Sequence, residues 1–130
     1  MEERRPKRVF LVLSSTGRVG QRGARFLAKK EIVTKVIVSA RNENRLKEVA
    51  RQVGDKAEAV RLDVLDYEAL LELMKKADLV INYAGPGAKV APVVAKAALK
   101  SKIHLVDVQD DAEAVPSLQC ASIDATKGHF

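Results

Sequence analysis

The sequence is poor in several features that mark particular classes of protein. It contains a single cysteine, Cys120, so no disulfide can form within the chain, and a disulfide-stabilised secreted domain is excluded. No apolar run approaches the ~20 residues of a membrane span, and the basic start MEERRPKR leads into a short strand rather than a secretory signal. We therefore expect a cytoplasmic protein with no membrane partner.

Aromatic residues are also scarce, whereas positive charge is plentiful. Phe, Trp and Tyr make up 4% of the chain, and the formal net charge is +6. An excess of basic residues fits either a nucleic-acid partner or an anionic small molecule such as a phosphorylated cofactor. Because the Lys and Arg residues are scattered among Glu along the predicted helices, and because few aromatics are available for base stacking, we predict no nucleic-acid partner.

Five short runs rich in Val, Ile and Leu alternate with segments of helical period. Most of these runs are apolar at consecutive positions, as expected of parallel strands that are covered on both faces. Right-handed crossovers then favour an α/β, doubly wound Rossmann fold: a parallel sheet of at least five strands, in the order 3-2-1-4-5, with helices on both faces. The predicted strands are Val9–Leu13, Val36–Ser39, Ala59–Leu62, Leu79–Asn82 and Ile103–Val108.

Each helical segment carries its apolar residues on one stripe. Asn42 or Asn44 is expected to cap the second helix and Asp66 the third, and Gly54 lies just past the second. A last helical piece, over about 111–127, is predicted to begin near Pro116. The predicted buried stripes are Val19, Gly23, Phe26 and Leu27; Leu46, Val49, Ala50 and Val53; Tyr67, Leu70, Leu71 and Met74; and Val90, Val93, Val94, Ala97 and Ala98.

The stretch SSTGRVG joins the first strand to the first helix in the manner of a dinucleotide-binding turn. Gly17 would let the backbone approach a pyrophosphate, and Gly20 would let the helix pack closely on the strand. The free N–H groups at the helix N-terminus would face the anion. The cofactor-binding residues predicted here are Ser14, Ser15, Thr16, Gly17, Arg18 and Val19.

A serine stands where the dinucleotide fingerprint opens with glycine. It is Ser14 if the pattern is counted as G-x-x-G-x-x-G, and Ser15 if it is counted as G-x-G-x-x-G. The first glycine makes the tight turn out of the strand, so a serine there requires either a negative φ or a strained backbone. We predict weakened rather than abolished binding. Arg18, in the first helical turn, opposes the helix dipole unless an anion lies nearby.

The end of the second strand favours NADP(H) over NAD(H). An NAD site carries an acidic residue here for the ribose 2′-hydroxyl, whereas this chain has Ser39, followed by Arg41 and Asn42. Arg41 can reach a 2′-phosphate with its guanidinium fork, and Ser39 and Asn42 can donate to it. The alternative is that Arg41 is a solvated loop cation.

Two further loops follow strands at the edge where ligands bind. Asp63 and Val64 are placed to contact an adenine, although Asp63 as a plain turn residue is almost equally favoured. The loop NYAGPG keeps side chains away from the nicotinamide side, and its candidate residues are Ala84, Gly85, Pro86 and Gly87. We predict no catalytic residue and no metal ligand; His104 and Asp107 lie on the fifth strand, where a lone histidine is more often packed than catalytic.

Residues 8 to 127 resemble the N-terminal NADP-binding domain of saccharopine dehydrogenase-like oxidoreductases. The resemblance is carried by SSTGRVGQ, VSARNENRLKEVA, AVRLDVLD, DLVINYAGPG and IHLVDVQDD, in this order and spacing. It implies a two-domain oxidoreductase that acts, with a nicotinamide cofactor, on the C–N bond of an amino-acid-derived secondary amine. On this likeness Gly17, Arg18 and Val19 hold the pyrophosphate, Arg41 the adenosine phosphate, Asp63 and Val64 the adenine, and Ala84 to Gly87 the nicotinamide side.

The resemblance leaves residues 1–130 as the cofactor-binding Rossmann domain, not catalytic by itself, with the C-terminal substrate domain absent from this chain. One alternative is a free-standing, non-enzymatic nucleotide-binding or sensor module that docks, for example as a homodimer, through a sheet edge. Another is a short-chain dehydrogenase, whose early motif and NYAG loop are similar. That family needs a Tyr with a Lys four positions later, and Tyr67 and Tyr83 are followed there by Leu71 and Gly87.

Overall fold

Five parallel strands form one sheet in the computed structural model, which describes residues 8–84 and 87–107. The strand order is β3-β2-β1-β4-β5, so the predicted order 3-2-1-4-5 is confirmed, with β1 at the centre between β2 and β4. The elements are β1 (Val9–Leu13), α1 (Arg18–Ala28), β2 (Lys35–Ala40), α2 (Glu43–Val53), β3 (Ala57–Arg61), α3 (Tyr67–Met74), β4 (Leu79–Asn82), α4 (Gly87–Ser101) and β5 (His104–Asp107).

The strands alternate their apolar side chains between two core layers. On one face Leu11 and Leu13 of β1 join the buried residues of α3 and α4. On the other face Val12 joins the buried residues of α1 and α2. Because neighbouring strands are paired in register, from Leu11 opposite Ile37 and Val80, each layer is continuous across the sheet. The sheet is therefore covered by helices on both faces, as predicted.

Strand boundaries differ by one or two residues from the prediction, and the edge strand differs in burial. β3 runs over Ala57–Arg61 and is only half-buried, because it pairs with β2 alone among the described strands. An edge strand has one neighbour fewer to exclude water, so continuous apolar burial does not develop. The predicted helix of residues 111–127, the helix start at Pro116 and the end of the fifth strand at Val108 lie outside the described residues.

The apolar stripe predicted for α1 is wrong. Val19 and Phe26 are 61% and 59% exposed, whereas Gly20 and Ala24 are buried and Leu27 is half-buried. The helix lies so close to the sheet that only small residues fit beneath it; a Cβ on Gly23, for example, would stand 2.3 Å from the Tyr83 hydroxyl oxygen. Burial on α1 therefore follows small side-chain size rather than hydrophobicity.

The stripes predicted for the other helices are confirmed at their central positions. Leu46 and Val49 of α2 are buried, as are Leu70, Leu71 and Met74 of α3, and Val90, Val94, Ala97 and Ala98 of α4. Asn42 caps α2 and Asp66 caps α3, each by accepting a hydrogen bond from a backbone N–H three residues later. Among the described helices, none is both long enough and apolar enough to cross a bilayer.

A candidate dinucleotide-binding cleft

Ser14 makes the turn that leads out of β1. Its φ is +61°, in the left-handed region that favours glycine, so the strained alternative raised by the sequence is the one adopted. The carbonyl oxygen of Ser14 accepts a hydrogen bond from the N–H of Gly17 at 3.3 Å and closes the turn. Ser14 is therefore the residue in the position of the first glycine.

Gly20 is required by the close approach of α1 to this turn. A Cβ at this position would lie 2.2 Å from the Ser14 carbonyl oxygen, and real Cβ atoms do not come so close to backbone. A Cβ on Gly17 would instead lie 3.5 Å from the same oxygen, which is an ordinary contact. Packing thus explains Gly20, while the absence of a side chain at Gly17 leaves the space in front of the helix open.

The N-terminus of α1 differs from those of α2 and α3 because no side chain caps it. Gly17 occupies the N-cap position, no side chain accepts a hydrogen bond there, and the first turn contains no acidic residue. The first backbone N–H groups of a helix have no partner within the helix, and they carry the positive end of its dipole. The N–H groups of Arg18, Val19 and Gly20 are therefore oriented to receive an anion.

Ser15 and Ser39 are buried and bind the backbone. The Ser15 hydroxyl donates to the Val12 carbonyl oxygen at 2.8 Å and accepts from the Ser39 N–H at 3.0 Å. The Ser39 hydroxyl donates to the same carbonyl oxygen at 2.9 Å. Because each hydroxyl proton is already committed, neither serine donates to a phosphate in this arrangement, contrary to the role expected of Ser39. Both instead join the carboxyl ends of β1 and β2.

Two arginines flank the end of β2. Arg41 is exposed, and its carbonyl oxygen accepts from the Arg61 Nε at 3.1 Å, which fixes the backbone at this point. Asn42 uses its side-chain oxygen to accept from the Arg45 N–H at 3.1 Å, and this leaves the Asn42 amide group free to donate. Arg45 lies in the first turn of α2, beyond this cap, and is also exposed.

The wall formed after β3 combines a turn and an apolar surface. Asp63 accepts from the Leu65 N–H at 3.0 Å through its carboxylate, so it has the turn role that the sequence favoured almost equally with adenine contact. Val64 is half-buried against the core, and Leu62 is buried. An apolar surface beside a carboxylate suits a flat heterocycle.

These loops enclose a cleft of about 380 Å³ at the carboxyl edge of the sheet. The cleft lies at the central strand β1, which has β2 and β3 on one side and β4 and β5 on the other. It brings together seven of the predicted site residues: Ser14, Thr16, Arg41, Asn42, Asp63, Val64 and Ala84. Gly17 and Arg18 line an adjoining cavity that shares Ser14, Thr16 and Arg45 with the cleft. Arg45 therefore lines both the cavity at the helix N-terminus and the cleft that contains Arg41.

Sequence reasoning missed Arg45 and Lys89, which also line the cleft. Both are exposed and lie in the first turn of a helix that starts at this edge of the sheet. Side chains in a helix tilt toward its N-terminus, so a long cation there reaches back over the strand ends. The cap at Asn42 was itself predictable, and counting three residues onward from it would have found Arg45.

The nicotinamide side of the site is described only in part. Ala84 lines the cleft, and its N–H donates to the Asn82 side-chain oxygen at 2.9 Å, while the Asn82 amide donates to the Asp107 carboxylate at 2.9 Å. Gly87 begins α4, and Gly85 and Pro86 lie outside the described residues. Within the part of the chain that the structure describes, no group of His, Cys, Asp and Glu residues is arranged to hold a metal ion.

The fold and the cleft define a Rossmann domain of the kind that binds a dinucleotide. A family model described as the saccharopine dehydrogenase NADP binding domain matches residues 10–126, and the chain belongs to that family. Binding of a nicotinamide dinucleotide is the property that this family shares. A search of curated proteins finds no match.

Solved structures, by contrast, do match. Apo saccharopine dehydrogenase (L-Glu forming) from Saccharomyces cerevisiae is 28% identical, with a TM-score of 0.71 over 88% of this chain and 23% of that one. A short-chain dehydrogenase from Mycobacterium smegmatis is 20% identical, with a TM-score of 0.74 over 96% and 74%. A short-chain dehydrogenase/reductase from Veillonella parvula in complex with NADP is 11% identical, with a TM-score of 0.67 over 96% and 66%. The last two likenesses concern the fold alone, and the chain spans under a quarter of the yeast enzyme.

The two glycines of the turn are expected to fail in different ways when each is changed to alanine. Gly20→Ala should lower the free energy of unfolding by about 1–3 kcal/mol, because the new Cβ meets backbone. Gly17→Ala should cost less than about 1 kcal/mol but weaken dinucleotide binding, because its Cβ enters the space before the free N–H groups. Urea unfolding and calorimetric titration measure the two effects. Equal stability loss in both variants would contradict this assignment.

Ser14→Gly should stabilise the protein and strengthen cofactor binding. A left-handed backbone costs serine roughly 1–2 kcal/mol, and the greater freedom of glycine in the unfolded chain returns part of the gain, so we expect a net increase of up to about 1 kcal/mol. Ser15→Gly is the matched control: it removes two buried hydrogen bonds and should destabilise by about 2 kcal/mol. The opposite ranking of the two variants in thermal unfolding would assign the turn to Ser15.

Proposed function

We propose that this chain binds NADP(H) in preference to NAD(H), as the cofactor-binding domain of an oxidoreductase. The observation that carries the proposal is the pair Arg41 and Arg45, which line the cleft beside the end of β2. Among the described residues that line the cleft, Asp63 is the only acid, and it lies at the end of β3 rather than β2. A ribose 2′-phosphate suits two guanidinium groups, whereas a 2′-hydroxyl suits a carboxylate.

The same arrangement gives each part of the dinucleotide a set of partners. We assign the pyrophosphate to the open N–H groups of α1 beyond Gly17, with Thr16 beside them. Arg18 lines the cavity next to Arg45, so its unfavourable position at the positive end of the helix is offset when phosphate is bound. The adenine is assigned to Val64 and the neighbouring wall, and the nicotinamide to the side of Ala84.

The chemistry that such a domain supports is hydride transfer, which the bound nicotinamide supplies. The contribution of this chain is to orient the cofactor and to stabilise its charge. Tyr67 and Tyr83 are not followed by a Lys at the spacing that a short-chain dehydrogenase needs, so we assign neither of them a catalytic role. We infer that substrate is held by a further domain, and that the substrate is an amino-acid-derived secondary amine, as in the yeast enzyme's family.

Removal of either arginine should reduce selectivity between the two cofactors. Arg41→Ala or Arg45→Ala is expected to weaken NADPH binding about 10-fold to 100-fold, the range for losing a charge-assisted hydrogen bond, and to leave NADH binding nearly unchanged. Thermal shift and calorimetry with both cofactors measure this, because a ligand that binds only the folded state raises the melting temperature. Lys47→Ala, on the same helix but outside the cleft and paired with Glu43, is the control. Equal shifts with NADPH and NADH in the unaltered protein would refute the preference.

The reaction class is tested separately from cofactor binding. In the protein as it occurs in the cell, NADPH should be oxidised only when an amino acid and a carbonyl compound are both supplied, because a secondary amine forms from the two. Absorbance of NADPH follows the reaction, with each reactant alone as the control. Oxidation by the carbonyl compound alone would assign the protein to simple carbonyl reduction and would leave the cofactor proposal intact.

A further inference from the structure

A second, basic groove leads away from the dinucleotide cleft along the outer side of α1. It consists of two adjoining cavities, of about 560 and 390 Å³. Arg22 and Arg25 line both cavities, so the two adjoin at these side chains and together mark a path along α1. The path starts at Ser14, Thr16 and Gly17 and ends between the C-terminal halves of α1 and α2. We call it the α1–α2 groove, lined by Arg18, Gln21, Arg22, Arg25, Phe26, Ala28, Lys29, Arg45, Gln52 and Val53 in addition to those three.

The groove is positively charged along its whole length. Arg18, Arg22, Arg25 and Lys29 follow one another at intervals of four, three and four residues, so they share one face of α1 at steps of roughly 4.5–6 Å along the helix axis. Among the described residues that line the groove, none is acidic. On α1 the cations are therefore concentrated on one face, rather than scattered among Glu as the whole sequence suggests.

Three arginines of the groove, Arg22 and Arg25 on α1 and Arg45 on α2, lack the carboxylate partners that other cations of α2 have. Lys47 is paired with Glu43, and Arg51 is hydrogen-bonded to Glu48 and lowers the pKa of that carboxyl. No carboxylate within residues 8–84 and 87–107 forms an ion pair with Arg22, Arg25 or Arg45. The positive charge of the groove is thus left to solvent or to a partner.

The character of the lining changes along the groove. Next to the dinucleotide cleft the wall is polar, with Gln21 and hydroxyl groups between the arginines. At the far end it carries Val53 and the ring of Phe26, which is 59% exposed. Between these two ends lie Arg22 and Arg25, which line both cavities. Arginine forks along a path with an aromatic ring beside it suit a phosphodiester backbone whose bases stack.

We propose that the α1–α2 groove binds single-stranded nucleic acid, with the backbone phosphates on Arg22, Arg25 and Lys29 and a base stacked on Phe26. Its upper end, at Ser14, Thr16, Gly17, Arg18 and Arg45, is shared with the site assigned to the dinucleotide, whereas Arg22, Arg25, Phe26 and Lys29 lie outside the dinucleotide cleft. The proposal is independent of the cofactor preference argued above, and it runs against the expectation from sequence that no nucleic acid is bound.

The test is fluorescence anisotropy with labelled single strands of about 12 nucleotides, a length that spans such a groove, in an RNA arm and a DNA arm. Arg22→Ala/Arg25→Ala should weaken binding at least about 10-fold. It should also reduce the slope of log affinity against log salt by about 1.4, since each phosphate contact to a single strand contributes ~0.7. Lys76→Ala/Lys100→Ala removes the same charge at the ends of α3 and α4, on the opposite face of the sheet, and should leave binding nearly unchanged.

Phe26→Ala tests recognition without changing charge. Because the ring is largely exposed, the protein should remain folded while affinity falls about 10-fold, the lower range for loss of a stacked base. Ile32→Ala, at a residue that is 67% exposed and outside the groove, is the matched control. The RNA and DNA arms show which strand is preferred, and loss of binding of either strand in the groove variants supports the proposal.

Three results would overturn the proposal. One is no binding between about 50 and 200 mM salt, the range over which such contacts are measured. Another is equal loss in the groove pair and the Lys76/Lys100 pair, which would reduce the effect to net charge. The last is equal competition by a poly-glutamate peptide of matched charge, which would assign the groove to an acidic protein segment. NADPH affinity retained in Arg22→Ala/Arg25→Ala confirms that the dinucleotide cleft is intact in that variant.

Discussion

The contact between Gly20 and the carbonyl oxygen of Ser14 determines how α1 leaves the sheet. That oxygen points toward the helix because Ser14 has a left-handed backbone, and the helix can approach it because Gly20 has no side chain. Once α1 is seated there, its open N-terminus lies next to the ends of β2 and β4, on either side of β1, where the strand order reverses. The cleft is a consequence of this one close approach.

The seating of α1 also creates an electrostatic imbalance. The positive end of the helix dipole, Arg18, Arg41 and Arg45 lie around two adjoining cavities, and Asp63 is the only acid among the described residues that line them. Like charges gathered at a helix N-terminus disfavour the folded state. By contrast, α2 and α3 have a capping side chain and an acidic residue in the first turn. A phosphorylated ligand supplies at α1 the negative charge that the chain supplies itself at the other two.

The sheet and most of the cleft were predictable from sequence because they depend on patterns that sequence displays directly. Consecutive apolar residues indicated the strands, the right-handed crossover rule indicated their order, and the glycines placed the turn at Gly17 and Gly20. The side-chain orientations were not predictable. From sequence alone, the Ser39 side chain could have faced a ligand. In the structure its hydroxyl and that of Ser15 both donate to the carbonyl oxygen of Val12. Arg45 escaped notice because its reach depends on the tilt of side chains in α2, not on a motif.

The error on α1 has a more general cause. Hydrophobic periodicity assumes that the most apolar residues are the most buried. A helix packed this closely on a sheet has room only for small side chains on its inner face, so Gly20 and Ala24 lie there. The larger residues are then displaced outward: Val19 and Phe26 are mostly exposed, and the Lys30 Nζ lies 4.3 Å from the centroid of the Phe26 ring. Neither the exposed ring nor the row of cations contributes to the packing beneath the helix. The inner face thus accounts for the packing of α1, and the outer face carries the groove that we propose to bind single-stranded nucleic acid.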